Sequence, residues 1–173
     1  TKQCVSVFGD SQGYGLDVSD SEAWTNVLAA NLNCRVTNYS VPAYGTDQAL
    51  LRYEQVNTNS EIAILTFIDD NIRRNLIQYW DLAYGPIYIE RTKPRFILSK
   101  DGSLKLVPLP VNTIGEAVAL NNWSFGSLFE YETFRPNSIP YKTAFQPSFP
   151  YSYTLISNAI VQNITKNLDS KIV

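Results

Sequence analysis

Hydrophobic and polar positions alternate over Val5-Ser6-Val7-Phe8 and break at Gly9, with Gly13 and Gly15 close behind. An alternating run of β-branched and aromatic residues that ends in glycines predicts a buried strand that the chain leaves in a sharp turn. Ser11 then stands at the sheet's edge. Ser19-Asp20-Ser21-Glu22 has the spacing of a capping box, and the pattern predicts a helix from Glu22 to Asn31 with Trp24, Val27 and Leu28 on one face. That face makes Trp24 a core residue. Arg35 to Val41 alternates as a second strand, Pro42-Ala43-Tyr44-Gly45 breaks it, and Thr46 or Asp47 can cap a helix whose apolar face holds Ala49, Leu50 and Tyr53. Ile62 to Ile68 is a continuous apolar run, the pattern of a strand covered on both faces of a parallel sheet, and it stops at Asp69-Asp70-Asn71.

Three strands with helices between them, each followed by a polar or glycine loop, predict a three-layer, doubly wound α/β domain with a mainly parallel sheet. Such sheets bind ligands outside the strands' carboxyl ends. The middle of the chain differs. Arg95-Phe96-Ile97-Leu98 and Leu104-Lys105-Leu106-Val107 flank Lys100-Asp101-Gly102, which predicts a β-hairpin within 93–111. It belongs to an insertion, residues 77–153, in a single domain covering 1–173. Ala117 to Phe134 reads as partly helical and Arg135 to Tyr153 as an irregular excursion, whose aromatics Phe145, Phe149, Tyr151 and Tyr153 either pin it down or stack on a sugar or acyl group. Leu155 to Leu168 has helical spacing, and Lys171-Ile172-Val173 opens a further strand, so the sheet reads as incomplete at its C-terminal end.

Composition narrows the class of partner. A net charge of -2 gives no basic footprint and argues against nucleic acid. No run approaches the roughly 18 consecutive apolar residues of a membrane span. The chain starts at Thr1 and contains no methionine, which reads as a trimmed or mature form. Cys4 and Cys34 lie at the starts of the first two strands and come within disulfide reach if those strands are neighbours; two buried free thiols are the more ordinary state. The sequons at Asn38, Asn122 and Asn163 are no more than chance supplies in an asparagine-rich chain, and the compartment stays open. No cofactor and no metal site is implied. Histidine is absent, so a histidine-dependent mechanism cannot be completed within these residues.

On its own, Ser11 after Gly9-Asp10 has two readings: a turn cap, or a nucleophile beside backbone N–H groups that stabilise an oxyanion. The larger constellation carries more. In order, the loops after the three strands hold Gly9-Asp10-Ser11, then Gly45, then Asp69-Asp70-Asn71. This resembles the SGNH/GDSL hydrolases. Phe8 to Trp24, Tyr39 to Tyr53, and Phe67 to Asn75 with its Ile72-Arg73-Arg74-Asn75 tail resemble a bacterial subgroup of that family. The resemblance implies a flavodoxin-like SGNH fold and a serine esterase or acyl transferase acting on a small acyl ester, such as an acetylated carbohydrate. In it Ser11 is the nucleophile, the N–H groups of Ser11 and Gly45 donate to the oxyanion, and Asp10 orders the turn.

Two departures from the family pattern stand out. Alignment on Ile72 to Asn75 puts Asp70 in the slot of the third oxyanion donor, an asparagine in the family, and Asn71 in the aspartate slot. An ionised carboxylate cannot donate. Either Asn71 takes the role after a one-residue shift, or the hole has two donors. The family's terminal Asp-x-x-His block, which supplies the base, is also missing, a gap that truncation, a second polypeptide completing the domain, or natural inactivity would explain.

Rival readings remain. Gly9 to Gly13 also satisfies the G-x-S-x-G nucleophile elbow, which ordinarily follows several earlier strands. An inactive module that binds a glycan or a protein keeps the same cleft. A phosphate-binding loop fits poorly beside Asp10, Asp17 and Asp20. Arg73 and Arg74 face an anionic substrate or pair with surface carboxylates.

Overall fold

The first strand is the middle of the sheet. In a computed structural model that describes residues 2–56, 58–78, 92–99 and 101–109, with 113, 115, 159 and 162 singly, β1 (Gln3–Phe8) lies between β2 (Arg35–Asn38) and β3 (Ile62–Leu65). Both pairings are parallel. Parallel neighbours need long crossovers. These contain α1 (Ser11–Tyr14) and α2 (Trp24–Leu32) between β1 and β2, and α3 (Thr46–Gln55) between β2 and β3. A short helix, α4 (Asp70–Arg74), follows β3, and β4 (Arg95–Leu98) pairs antiparallel with β5 (Leu104–Val107). The result is a mixed α/β fold.

The chain divides into two units, Thr1–Ile72 with Ile160–Val173, and Arg73–Ala159. In the first, α3 covers β1: Phe8, Ala49 and Tyr53 form a buried cluster joined by Tyr39, Val56, Ala63 and Leu65. Phe8 stacks on Tyr39 at 5.2 Å between centroids and meets Tyr53 edge-on at 5.3 Å. Each such pair adds about 1 kcal/mol beyond the area it buries. The predicted apolar face of α3, Ala49, Leu50 and Tyr53, is the buried one.

Burial on both faces belongs to β1, where Val5, Ser6, Val7 and Phe8 are all buried, and not to the apolar run at 62–68. Ile62 is 54% exposed and the rest of β3 is half-buried. The first run thus forms the buried strand its pattern predicts, and Ser6 cannot reach solvent from it. Its hydroxyl is instead satisfied internally, bonding to Thr58 at 2.6 Å and Ser60 at 2.8 Å and accepting from Gln3 Nε2 at 2.9 Å. The helix after the capping-box sequence also differs from expectation. Ser19 donates to Glu22 through both its hydroxyl and its N–H, and that pairing holds the Glu22 carboxyl below its ordinary pKa. The pair closes a turn, and α2 starts after it, with Thr25 buried and Val27 exposed.

The two cysteines are a correction. They form a disulfide instead of two buried free thiols. β1 and β2 are adjacent, and their register slips between Gln3 and Val5, so Cys4 occupies the bulge. Asn33 ends α2 in a left-handed conformation, and the N–H of Cys34 returns to the Ala29 carbonyl, which delivers Cys34 to the start of β2. The two Cα atoms are 6.0 Å apart, within disulfide range.

In the second unit the hairpin forms where the sequence places it, with Arg95 opposite Val107 and Leu98 opposite Leu104. Gly102 takes the left-handed turn position at φ +81°. Gln78 ties the hairpin's ends, donating to the carbonyls of Pro108 at 2.8 Å and Lys93 at 3.3 Å, and Arg95 donates to the Leu76 carbonyl at 3.0 Å. Arg73 is buried and is not the surface residue that a simple carboxylate pairing implies. The expectations for 117–134, 135–153, 155–168 and 171–173 lie outside the described residues, isolated positions apart. No helix among the described residues is long and apolar enough to cross a membrane.

The disulfide closes a loop with a sequence separation of 30. Its reduction is expected to lower stability by about 3 kcal/mol. Urea denaturation with and without reductant checks this, and a Cys4→Ala/Cys34→Ala chain should match the reduced protein.

Candidate functional site

The strand order β2-β1-β3 puts the loop after β1 beside the loops after both neighbours. Hydrogen bonds continue past the strands to that rim. The N–H of Thr66 donates to the Phe8 carbonyl at 2.9 Å, and that of Val41 donates to the Gly9 carbonyl at 3.0 Å. Gly9 then turns away at φ +154°, and a Cβ there would collide with the Thr66 side chain. Only glycine fits both demands.

The turn opens into α1 through Asp10, whose Oδ1 accepts the Gln12 N–H at 2.9 Å as an N-cap. Ser11 is the first helical residue and is half-buried. Its hydroxyl and its N–H have no partner among the described residues. Both are therefore available at the rim.

The far end of α1 is clamped. Asn38 Nδ2 donates to the Gly13 carbonyl at 2.9 Å and the Tyr14 carbonyl at 3.3 Å, and Trp24 Nε1 donates to Gly13 at 3.1 Å. These bonds satisfy carbonyls that a short helix leaves open. Trp24 is thus half-buried with a polar task. Asn38 entered the sequence reading only as a sequon, yet its amide nitrogen is committed to the fold, and a glycan there would break the clamp. The signal for it was structural: a helix of four residues needs donors from elsewhere.

The second loop brings Gly45 to the rim as the N-cap of α3. The turn before it, Val41-Pro42-Ala43-Tyr44, is closed by the Tyr44 N–H on the Val41 carbonyl at 3.1 Å, with Ala43 at φ +72° where glycine is usual. Gly45 is buried, and its N–H is held loosely by Gln48 Oε1 at 3.4 Å.

The third loop leads into α4, whose second residue, Asn71, is 1% exposed. Its Nδ2 donates to Asp10 Oδ2 at 3.2 Å and to the Tyr44 carbonyl at 3.0 Å, and its Oδ1 accepts the Ile68 N–H at 2.7 Å. Both amide hydrogens therefore have acceptors inside the protein. Asp70 starts α4 and is half-buried. A single nitrogen, Asn71 Nδ2, thus touches the residue before Ser11 and the residue before Gly45. The three sequence blocks meet there.

No family model and no curated protein matches the chain. Among solved structures it is similar to AlinE4, described as an SGNH-hydrolase family esterase, and to two point mutants of that esterase. The identities are 22–23%, the match covers 45% of this chain and 46% of that one, and the TM-score is 0.38. The chain thus spans less than half the length of the structures it matches. At that level the likeness carries no argument about activity or site residues.

Gly13 sets how closely α1 seats on the rim. A Cβ at Gly13 would lie 2.5 Å from Thr66 Oγ1 and 2.6 Å from Ser40 Oγ. Gly13→Ala is expected to lose about 1–3 kcal/mol of stability through overpacking, as read by urea denaturation. Gly102→Ala, which meets no neighbour within 4 Å, should lose only about 1 kcal/mol through its positive φ.

Proposed function

We propose that the chain is a serine-dependent acyl-ester hydrolase or acyl transferase of the SGNH type, acting on a small acyl ester such as an acylated glycan. The observation that carries this reading is the state of Ser11, whose hydroxyl and N–H are unpartnered among the described residues while Asp10, Asn71 and Tyr44 beside it are bonded to one another. Ser11 Oγ attacks the ester carbonyl. The developing oxyanion takes hydrogen bonds from the N–H of Ser11 and from that of Gly45, which gives up its long contact to Gln48. Each donor of this kind is worth about 3 kcal/mol in the transition state. With the Asn71 amide spent on Asp10 and Tyr44, and a carboxylate at Asp70, the hole has two backbone donors.

The proton of Ser11 needs a base, and the chain holds no histidine. The reading therefore requires a general base other than a histidine of these residues. The second reading is a catalytically inactive module of the same family that binds a glycan or a protein, and the absent histidine and the carboxylate at Asp70 favour it.

A fluorophosphonate probe separates the two readings when imidazole in solution replaces the missing base. Ser11 Oγ bonds to phosphorus, fluoride leaves, and imidazole takes the proton. The hydrolase reading predicts labelling at Ser11 that rises with imidazole and disappears in Ser11→Ala, read by intact mass and peptide mapping. No label at Ser11 at any imidazole concentration supports the binding module instead.

A further inference from the structure

Asn71 is the buried residue at the rim that the acyl-transfer reading leaves without a chemical task. Its amide is fully used: two donated bonds to Asp10 Oδ2 and the Tyr44 carbonyl, one accepted from the Ile68 N–H. Those partners sit in the loops after β1, β2 and β3 respectively. Asp10 also caps α1 through Gln12, which fixes the direction of the Ser11 N–H, and the Tyr44 carbonyl belongs to the peptide unit whose nitrogen is that of Gly45. The Asn71 side chain therefore grips both peptide segments from which the oxyanion donors extend.

We propose that Asn71 is a positioning residue that sets the Ser11 and Gly45 N–H groups relative to each other; this rests on the reading of Ser11 as nucleophile. The requirement is specific to an amide. Asp10 is wholly buried, and the group facing it must donate. A carboxylate at position 71 of the same shape would accept only, placing two negative charges together until one of them binds a proton. Among the described residues, the side chain of Asn71 bonds to the Asp10 carboxylate from the first loop, the Tyr44 carbonyl from the second and the Ile68 N–H from the third.

The test uses the full chain, Asn71→Asp and Asn71→Ala, with the backbone amides of Gln12 and Gly45 followed by ¹H–¹⁵N NMR from pH 4 to pH 8. Imidazole-assisted labelling of Ser11 by the fluorophosphonate is measured at pH 8. In Asn71→Asp both amides should be displaced together at the alkaline end of that range and return together toward its acid end, where a proton shared by the two carboxyls restores a donor. Labelling should fall about tenfold at pH 8, because the two N–H groups are displaced and not removed, so each keeps part of its effect on the transition state. In Asn71→Ala both amides should stay displaced at every pH. If Asn71→Ala does not fold, as judged by far-UV circular dichroism, the pH-reversible behaviour of Asn71→Asp decides alone. Amides unmoved in a folded Asn71→Ala, Gln12 and Gly45 moving independently, or an Asn71→Asp displacement indifferent to pH would overturn the proposal. The NMR readout needs no reaction, so failure of the unaltered chain to label counts against the acyl-transfer reading alone.

Discussion

A buried carboxylate at the end of the central strand organises this protein. Asp10 is wholly inaccessible, and an ion in that position costs several kcal/mol unless donors surround it. Two of those donors are the Gln12 N–H, which exists as a free donor only because a helix begins there, and the Asn71 amide, which reaches Asp10 only if the loop after β3 folds back over the rim. Satisfying one charge thus dictates where α1 starts and where the third loop lies. Ser11 is the residue this arrangement leaves over.

The rest of the first unit holds that rim steady from below and from the side. β1 is bonded to strands on both edges, and Phe8, the last residue before the turn, is fixed by Tyr39 and Tyr53. The Cys4–Cys34 disulfide secures the opposite end of the β1–β2 pair. α1, with four residues, cannot stand alone, because a single helical turn is far too short to be stable in isolation. It is held at its start by the Asp10 cap, at its end by Asn38 and Trp24, and underneath by the space that Gly13 leaves for Ser40 and Thr66. The outcome is a half-buried serine on a mount held from several sides.

Much of this was legible in the sequence. The three strand cores, α3 with its buried Ala49, Leu50 and Tyr53, and the hairpin turning at Gly102 follow from periodicity and turn chemistry, because local pattern and tertiary burial agree there. Where they disagree the sequence misled. The apolar run at 62–68 looked doubly covered, although the doubly covered strand is β1. The disulfide depended on which strands are neighbours and on a bulge at Cys4. The three blocks holding Ser11, Gly45 and the Asp70-Asn71 pair were expected at one rim, but the sequence left Asp70 and Asn71 undecided and gave no sign that the Asn71 amide is spent on Asp10 and Tyr44. That fact exists only once three separate loops share one nitrogen.

The most direct measurement of the central claim is solvent exchange of the two Asn71 side-chain amide protons, followed by ¹H–¹⁵N NMR in the unaltered protein. Protons that are buried and accepted by Asp10 and Tyr44 should give two well-separated signals and exchange on the order of 100-fold more slowly than an exposed asparagine amide. Signals at the positions and exchange rates of a solvated side chain would contradict the account, since Asp10 would then be buried without the donor that ties the three loops together.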